Sequence, residues 1–269
     1  MSIFIALGDL HEETKSLSRL KKIQAMYPEN DTVTVFIGDY IDTFGPNSGF
    51  ELLEKIHNMN EADPLHTVVL MGNHEQAAID YFENPNNTAW LRFGGNETLK
   101  SEVNRLGGNQ GTLSDREFVL NKRRDLINWV KSLPLTYQPG SKNKIVFTHA
   151  GLDLTLKNPI RDTNNYDRLW MRANYWYDPN SWGIFGRNKL GVSVVTGHTP
   201  NGKIMGRYSE NQKPEKFESN HSPIYTIQYP NEMPRYLMDG GIGEGDPKIL
   251  GNIGVFDGET GLLINALED

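Results

Sequence analysis

The chain contains no cysteine among its 269 residues. That excludes disulfide staples, thiolate metal sites and cysteine nucleophiles, and it agrees with a reducing compartment. Long hydrophobic runs are missing too. The apolar stretch at residues 3–7 is too short for a signal peptide or a membrane span. The expected location is therefore cytoplasmic, with no membrane partner. A surplus of positive charge is also lacking. The formal net charge is −7, and no basic stripe with interleaved aromatics is visible, which weighs against a nucleic-acid partner.

What is present is an alternation. Residues 3–7 read as a buried strand that runs into Gly8-Asp9. Over 14–26, Leu17, Leu20 and Ile23 recur at helical spacing. Residues 32–37 form a second strand-like run, again ending in Gly-Asp, and 50–56 read as helical. Residues 66–70 predict a third strand, which runs into Met71-Gly72-Asn73. Strand, Gly-polar loop and helix in succession predict an α/β fold with its site at the strand ends. Residues 115–130 predict a further helix. Residues 144–147 and 192–196 predict strands ending in Thr148-His149 and Gly197-His198, and 235–238 and 253–256 complete the set. Neither a repeat nor a linker is visible. Residues 1–269 therefore read as a single domain, with a polar surface excursion over 201–231.

Five loops carry the chemistry. Gly8-Asp9-Leu10-His11 offers a carboxylate and an imidazole two residues apart, and in an extended segment both would face one side. Gly38-Asp39 offers a carboxylate able to bridge two ions. Gly72-Asn73-His74-Glu75 offers an amide oxygen and an imidazole. Thr148-His149-Ala150-Gly151 and Gly197-His198-Thr199 offer one imidazole each. Of seven histidines, four fall in these loops. Asp, His and Asn donors without thiolate suit Mn, Fe or Zn and are poorly matched to an all-oxygen Ca cage. Any one of these loops is commonplace in a structural role, but their joint order is not. His57, His66 and His221 read as ordinary surface or packing residues.

In those loops the chain resembles the calcineurin-like metallophosphoesterases, specifically the phosphoprotein phosphatase branch with its bacterial and phage serine/threonine protein phosphatases and symmetric dinucleoside tetraphosphatases. The segments Trp90-Leu91-Arg92-Phe93-Gly94-Gly95 and Leu169-Trp170-Met171-Arg172 look like parts of the bacterial members. The resemblance implies a four-layer sandwich of two mixed β-sheets flanked by helices. It implies that Asp9, His11 and Asp39 hold a first ion and that Asp39, Asn73, His149 and His198 hold a second. Two ions roughly 4 Å apart activate a bridging hydroxide for in-line attack on a phosphate monoester. His74 is then the general acid and Asp42 its partner. Arg172 is the candidate phosphate ligand, with Asn73 beside it, and Asp239 a candidate for orienting a metal histidine.

Two departures from the family pattern stand out. The second loop continues Asp42-Thr43-Phe44 where the family has Asp-Arg-Gly, so a phosphate-gripping arginine is missing at Thr43. Glu12 follows His11 where the family has Gly. A negative Glu12 near the site would disfavour highly charged substrates, and Arg92 is a candidate replacement for the missing cation. The expected activity is that of a serine/threonine protein phosphatase-like enzyme acting on a phosphorylated protein. The alternatives are a hydrolase of dinucleoside polyphosphates or other small phosphorylated metabolites, and a catalytically silent metal-binding scaffold.

Overall fold

The computed structural model describes residues 2–43, 49–109, 111, 114–172, 188–201, 223–228 and 231–268. Most of the polar excursion expected over 201–231, His221 included, lies outside the described residues. The chain forms two five-stranded mixed sheets. In the first, strands β1 (Ile3–Leu7), β2 (Thr32–Phe36) and β3 (Thr67–Val69) run parallel. Strands β9 (Ile253–Asp257) and β10 (Leu263–Leu267) close the other side antiparallel. In the second, β5 (Ile145–Thr148), β6 (Ser193–Thr196) and β8 (Arg235–Leu237) run parallel. They lie between antiparallel β4 (Thr136–Tyr137) and β7 (Tyr225–Ile227).

Side chains alternate across a strand, and this alternation builds the layers. In β1, Phe4 and Ala6 join Ile145, Phe147, Val195 and Phe256 between the two sheets. Ile3, Ile5 and Leu7 point the other way, into the core shared with the helices. In β5, Val146 takes the outer face of the second sheet with Val194, Tyr225 and Leu237. Both faces of these central strands are buried, which is why they read as continuous apolar runs.

Helix α1 (Lys15–Gln24) buries Leu20 and Ile23 against the first sheet. Helix α2 (Glu51–Ala62) runs two turns beyond the stretch expected at 50–56 and buries Leu52, Leu53 and Ile56. Helix α3 (Asn73–Glu83) starts directly in the third ligand loop. Helix α4 (Gly95–Arg105) follows a short 3-10 turn at Trp90–Arg92. The helix expected over 115–130 is two: α5 (Asp115–Lys122) and α6 (Arg124–Lys131). They part at Arg123, where φ −118° and ψ 19° leave the helical region. Its guanidinium turns to Glu102 and Glu54, at 2.6 and 3.0 Å. Helices α7 (Pro159–Asp162) and α8 (Asn165–Trp170) precede Arg172.

The consequence for function is directional. The three parallel strands of each sheet deliver the loops that follow them to one region. This is where α/β sheets characteristically bind ligands.

Candidate metal centre

The first two loops are laddered together. Asp9 N–H donates to the Gly38 carbonyl at 3.0 Å, His11 N–H to Asp39 at 3.0 Å, and Glu12 N–H to Tyr40 at 2.9 Å. Contrary to the extended conformation expected from its spacing, the 8–12 segment is not extended. Asp9, His11 and Glu12 have φ of 56°, 39° and 69°. The backbone curls, and hydrogen bonding to the 38–40 segment, rather than strand alternation, sets the two side chains beside Asp39. Asp39, Asp42 and His198 share positive φ, at 56°, 66° and 68°. Such conformations cost on the order of 1 kcal/mol or more each and persist where the surroundings over-determine them.

Asp39 Oδ2 is the hub. It lies 3.9 Å from His11 Nε2, 4.0 Å from His74 Nε2 and 3.4 Å from His149 Nε2. Two donor groups follow, His11–Asp39–His74 and Asp39–His149–His198, each with its donor atoms within 4.8 Å of one another. Asn73 Oδ1 lies 2.8 Å from both His149 Nε2 and His198 Nδ1. Asp9 Oδ1 accepts the His198 backbone N–H at 2.6 Å. The six expected ligands are thus brought together, with His74 close enough to stand among the donors of the first group.

The donor set fits cations. His11 Nδ1–H is held by the carbonyls of Asp42 and Ile41, at 2.6 and 3.0 Å, and His149 Nδ1–H by that of Ile37 at 2.9 Å. Each Nε2 lone pair is thereby turned towards Asp39, the orientation that metal-ligating imidazoles adopt. For His149 that lone pair faces Asn73 Oδ1 and Asp39 Oδ2, an arrangement that needs a proton or a cation between the atoms. Among the described residues, Asp9 Oδ2 is buried without a hydrogen-bond partner, and such an orphan is costly unless something fills its place.

The titration behaviour agrees. Burial, with Asp239 and Asp39 nearby, pushes the Asp9 carboxyl well above its ordinary range. Burial likewise raises Asp239 to about 7. Burial and the neighbouring His74 lower His11. Burial, with His149 and Arg172 nearby, holds His198 far below the usual imidazole range. Asp39 goes the other way. Burial opposes its ionisation, but His149 and His74 more than offset that and hold it well below the carboxylate range. A site in which burial pushes Asp9 and Asp239 towards the protonated form and holds His11 and His198 neutral is short of positive charge.

His74 Nδ1 is 2.9 Å from Asp42 Oδ2. Burial lowers the His74 pKa, but Asp39 and Asp42 outweigh it and raise it to about 9. A cleft of about 160 Å³ opens over this pair, lined in part by His11, Asp39, Phe93, Arg172, His198 and Asp239. Arg172 Nε–H donates to His198 Nε2 at 2.9 Å, which places the guanidinium on the cleft.

The remaining expectations divide. Asp239 accepts the Gly241 N–H at 2.8 Å and, among the described residues, hydrogen-bonds no ligand histidine. Arg92 is exposed and is not part of the cleft lining, which includes its neighbour Phe93. Thr43 and Glu12 line an adjoining cavity of about 190 Å³ with Lys15. Glu12 is buried. His57 rests against Trp129, and His66 pairs with Asp63 at 2.9 Å, as their surface and packing reading requires.

Glu75 was not singled out from the sequence. It is fully buried and accepts three backbone N–H groups, those of Asp39 at 2.9 Å, Tyr40 at 2.8 Å and Gly72 at 3.0 Å. The available signal was its place three residues after Gly72, where a helix-capping glutamate reaches back.

Comparison with known proteins bears on this geometry. The family model for calcineurin-like phosphoesterases matches residues 3–227. No curated protein matches the sequence. Among solved structures, a candidate diadenosine tetraphosphatase is similar over 99% of this chain and 93% of its own, at 15% identity and a TM-score of 0.58. A protein serine/threonine phosphatase from Saccharomyces cerevisiae is similar over 100% of this chain and 80% of its own, at 13% identity and a TM-score of 0.52. A cold-active protein-tyrosine phosphatase of a Shewanella species is similar over 100% and 81%, at 16% identity and a TM-score of 0.50. At these identities the likeness is one of fold.

Proposed function

The chain belongs to the calcineurin-like phosphoesterase family, and from that premise we propose that it hydrolyses phosphate monoesters with two metal ions, as a serine/threonine protein phosphatase-like enzyme. The observation that carries this reading is the Asp39 carboxylate, common to both donor groups, with the Asp42-bound His74 imidazole beside it. In this reading Asp9, His11 and Asp39 hold one ion, and Asp39, Asn73, His149 and His198 hold the other. Mn is the first choice, with Fe and Zn as alternatives of similar donor preference.

Two cations in these positions supply a water acidic enough to ionise near neutral pH and positive charge for the phosphoryl oxygens. This chain's residues do the remainder. Asp42 fixes the ring of His74, and its carboxylate favours the protonated imidazole. His74 Nε2 then donates that proton to the leaving oxygen. Arg172, which lines the cleft, grips the non-bridging phosphoryl oxygens, with the Asn73 amide beside it.

The monoester preference is supported by charge. Among the described residues lining the cleft, Arg172 is the one lysine or arginine. That suits a single phosphoryl group, whereas a polyphosphate chain calls for several cations along its path. The second reading is a hydrolase of dinucleoside polyphosphates or other small phosphorylated metabolites. It is supported by the fold-level likeness to the candidate diadenosine tetraphosphatase.

The test is Mn-dependent hydrolysis of para-nitrophenyl phosphate by the wild type and by Asn73→Ala, followed by phosphoserine peptides against diadenosine tetraphosphate. Metal-dependent turnover that is lost in Asn73→Ala, with preference for the peptides, is expected. No turnover with Mn, Fe or Zn leaves only the scaffold. A strong preference for the dinucleotide establishes the second reading.

A further inference from the structure

A collar built from residues 90–98 surrounds Asp42. Trp90 is fully buried, and its indole N–H donates to Asp42 Oδ2 at 2.7 Å. The same oxygen holds His74 Nδ1 at 2.9 Å. Thr98 Oγ1 donates to Asp42 Oδ1 at 2.5 Å. The hydroxyl has one proton to give, and among the described residues the other acceptors near it, Glu12 Oε1 and the Gly94 carbonyl, are farther away, both at 3.3 Å. Asp42 Oδ1 is the nearest of the three. Both carboxylate oxygens are pinned from positions 48 and 56 residues further along the chain.

The two glycines of the segment let the collar come this close. A Cβ at Gly94, where φ is 104°, would meet the Asp42 Cβ at 2.9 Å. A Cβ at Gly95 would meet the Trp90 ring at 2.4 Å. These contacts account for Trp90, Gly94, Gly95 and Thr98 together, none of which binds a metal donor.

A carboxylate held at one oxygen can still swing about its own side-chain bonds. Held at both, its plane is fixed, and so is the imidazole bonded to it. His74 then keeps Nδ1 on Asp42 and Nε2 on the cleft side, 4.0 Å from Asp39 Oδ2. The neighbouring rings of His11 and Phe93 lie edge-on to it, with centroids at 4.9 and 6.4 Å.

We propose that Trp90 and Thr98 are positioning residues for proton delivery, acting through Asp42 to hold the His74 imidazole where it meets the leaving oxygen. The inference rests on the reading of His74 as that donor. Neither Trp90 nor Thr98 lines the cleft, so their influence falls on leaving-group departure and not on phosphate binding.

The test uses the Mn-loaded enzyme with two substrates, para-nitrophenyl phosphate and phenyl phosphate, whose leaving group needs the proton more. Thr98→Val keeps the shape and removes the hydroxyl. Trp90→Phe keeps an aromatic and removes the N–H. Each is expected to lower kcat for phenyl phosphate about tenfold to a hundredfold, the scale of a misplaced catalytic group. The fall for para-nitrophenyl phosphate is expected to be much smaller, with KM unchanged for both. Thr98→Ser is expected to recover most of the loss. Added to His74→Asn, Thr98→Val is expected to cost nothing further.

Equal slowing of both substrates by Thr98→Val, or full additivity with His74→Asn, overturns the inference while leaving His74 as the donor. If His74→Asn itself slows both substrates equally, the donor reading falls, and the inference with it. Should Trp90→Phe fail to fold, the Thr98 series decides alone.

Discussion

Glu75 Oε2 accepts the backbone N–H of Asp39 at 2.9 Å across 36 positions of sequence. With its bonds to Tyr40 and Gly72, this carboxylate ties the start of α3, which carries Asn73 and His74, to the loop that carries Asp39 and Asp42. Glutamine would keep the length but turn an amide N–H₂ against a backbone N–H. Glu75→Gln is expected to cost about 1–3 kcal/mol of stability. Its Mn affinity is expected to fall about 10–100-fold, as when a group that orients metal ligands is lost. Urea unfolding of the metal-free protein and calorimetric Mn titration measure the two effects. No change in either would show that the loops hold their places without Glu75.

The stability of the metal-free protein is expected to fall as pH rises above about 6.5; below that value His11 and His198, whose pKa values burial lowers, work the other way. A group whose folded pKa is raised contributes stability below its unfolded pKa and loses it as pH climbs through the folded value. Asp239, raised from 3.8 to about 7 by burial, loses its contribution across that interval. His74, raised from 6.5 to about 9 because Asp39 and Asp42 outweigh burial, loses its contribution at higher pH. Asp9 shifts in the same sense. Asp39, lowered by its histidines, works the other way, but its loss comes only as pH falls below the carboxylate range. Bound cations offset the carboxylate charge and prefer deprotonated ligands. The rise in Tm on adding Mn should therefore grow between about pH 5.5 and about pH 8.5. Thermal scans with Mn and with EDTA check this, and a constant rise across the range would refute it.

Much of this architecture could be read from sequence because the central strands are buried on both faces. The run Ile3–Leu7 is fully buried, so it is uniformly apolar and bounded sharply by Gly8-Asp9. The ligand loops were visible for the same reason, each standing directly after such a run. The paired edges β4 and β7, two and three residues long, are too short to carry a pattern. Helix α4 was masked by the Asn, Pro and Gly content before it, since Gly94 and Gly95 serve close approach to Asp42 and Trp90 rather than a loop. The left-handed backbone at Asp9, His11 and Glu12 follows from hydrogen bonds to a loop about 30 residues away. No local spacing encodes it.

Asp39 makes a prediction about stoichiometry. Its Oδ2 faces the Nε2 atoms of His11, His74 and His149, and its carboxylate belongs to both donor groups. Asp39→Asn is expected to weaken both ions together and to lower kcat on the order of 10³-fold, the equivalent of several kcal/mol of charge stabilisation. His11→Ala touches one group only. It is expected to leave a protein that retains about one ion of the pair after gel filtration. Elemental analysis of the two variants distinguishes them. Equal metal content would show that Asp39 is not shared.

Gly197 tests the place of Asp9. A Cβ on Gly197 would stand 1.8 Å from Asp9 Oδ2, the buried oxygen with no hydrogen-bond partner among the described residues. That separation cannot be tolerated, so in Gly197→Ala either the carboxylate or the 197–199 loop must move. His198 N–H donates to the other oxygen of the same carboxylate, so the two shifts are linked. Gly197→Ala is expected to fold with a loss of about 1–3 kcal/mol, the usual cost of overpacking. Its Mn affinity should fall by about tenfold or more, since the displaced groups include ligand atoms. Gly140→Ala is the control, because a Cβ there meets nothing within 4 Å. It should bind Mn as the wild type does. Wild-type Mn affinity in Gly197→Ala would mean that Asp9 Oδ2 is not a ligand, and the buried orphan oxygen would then need another occupant.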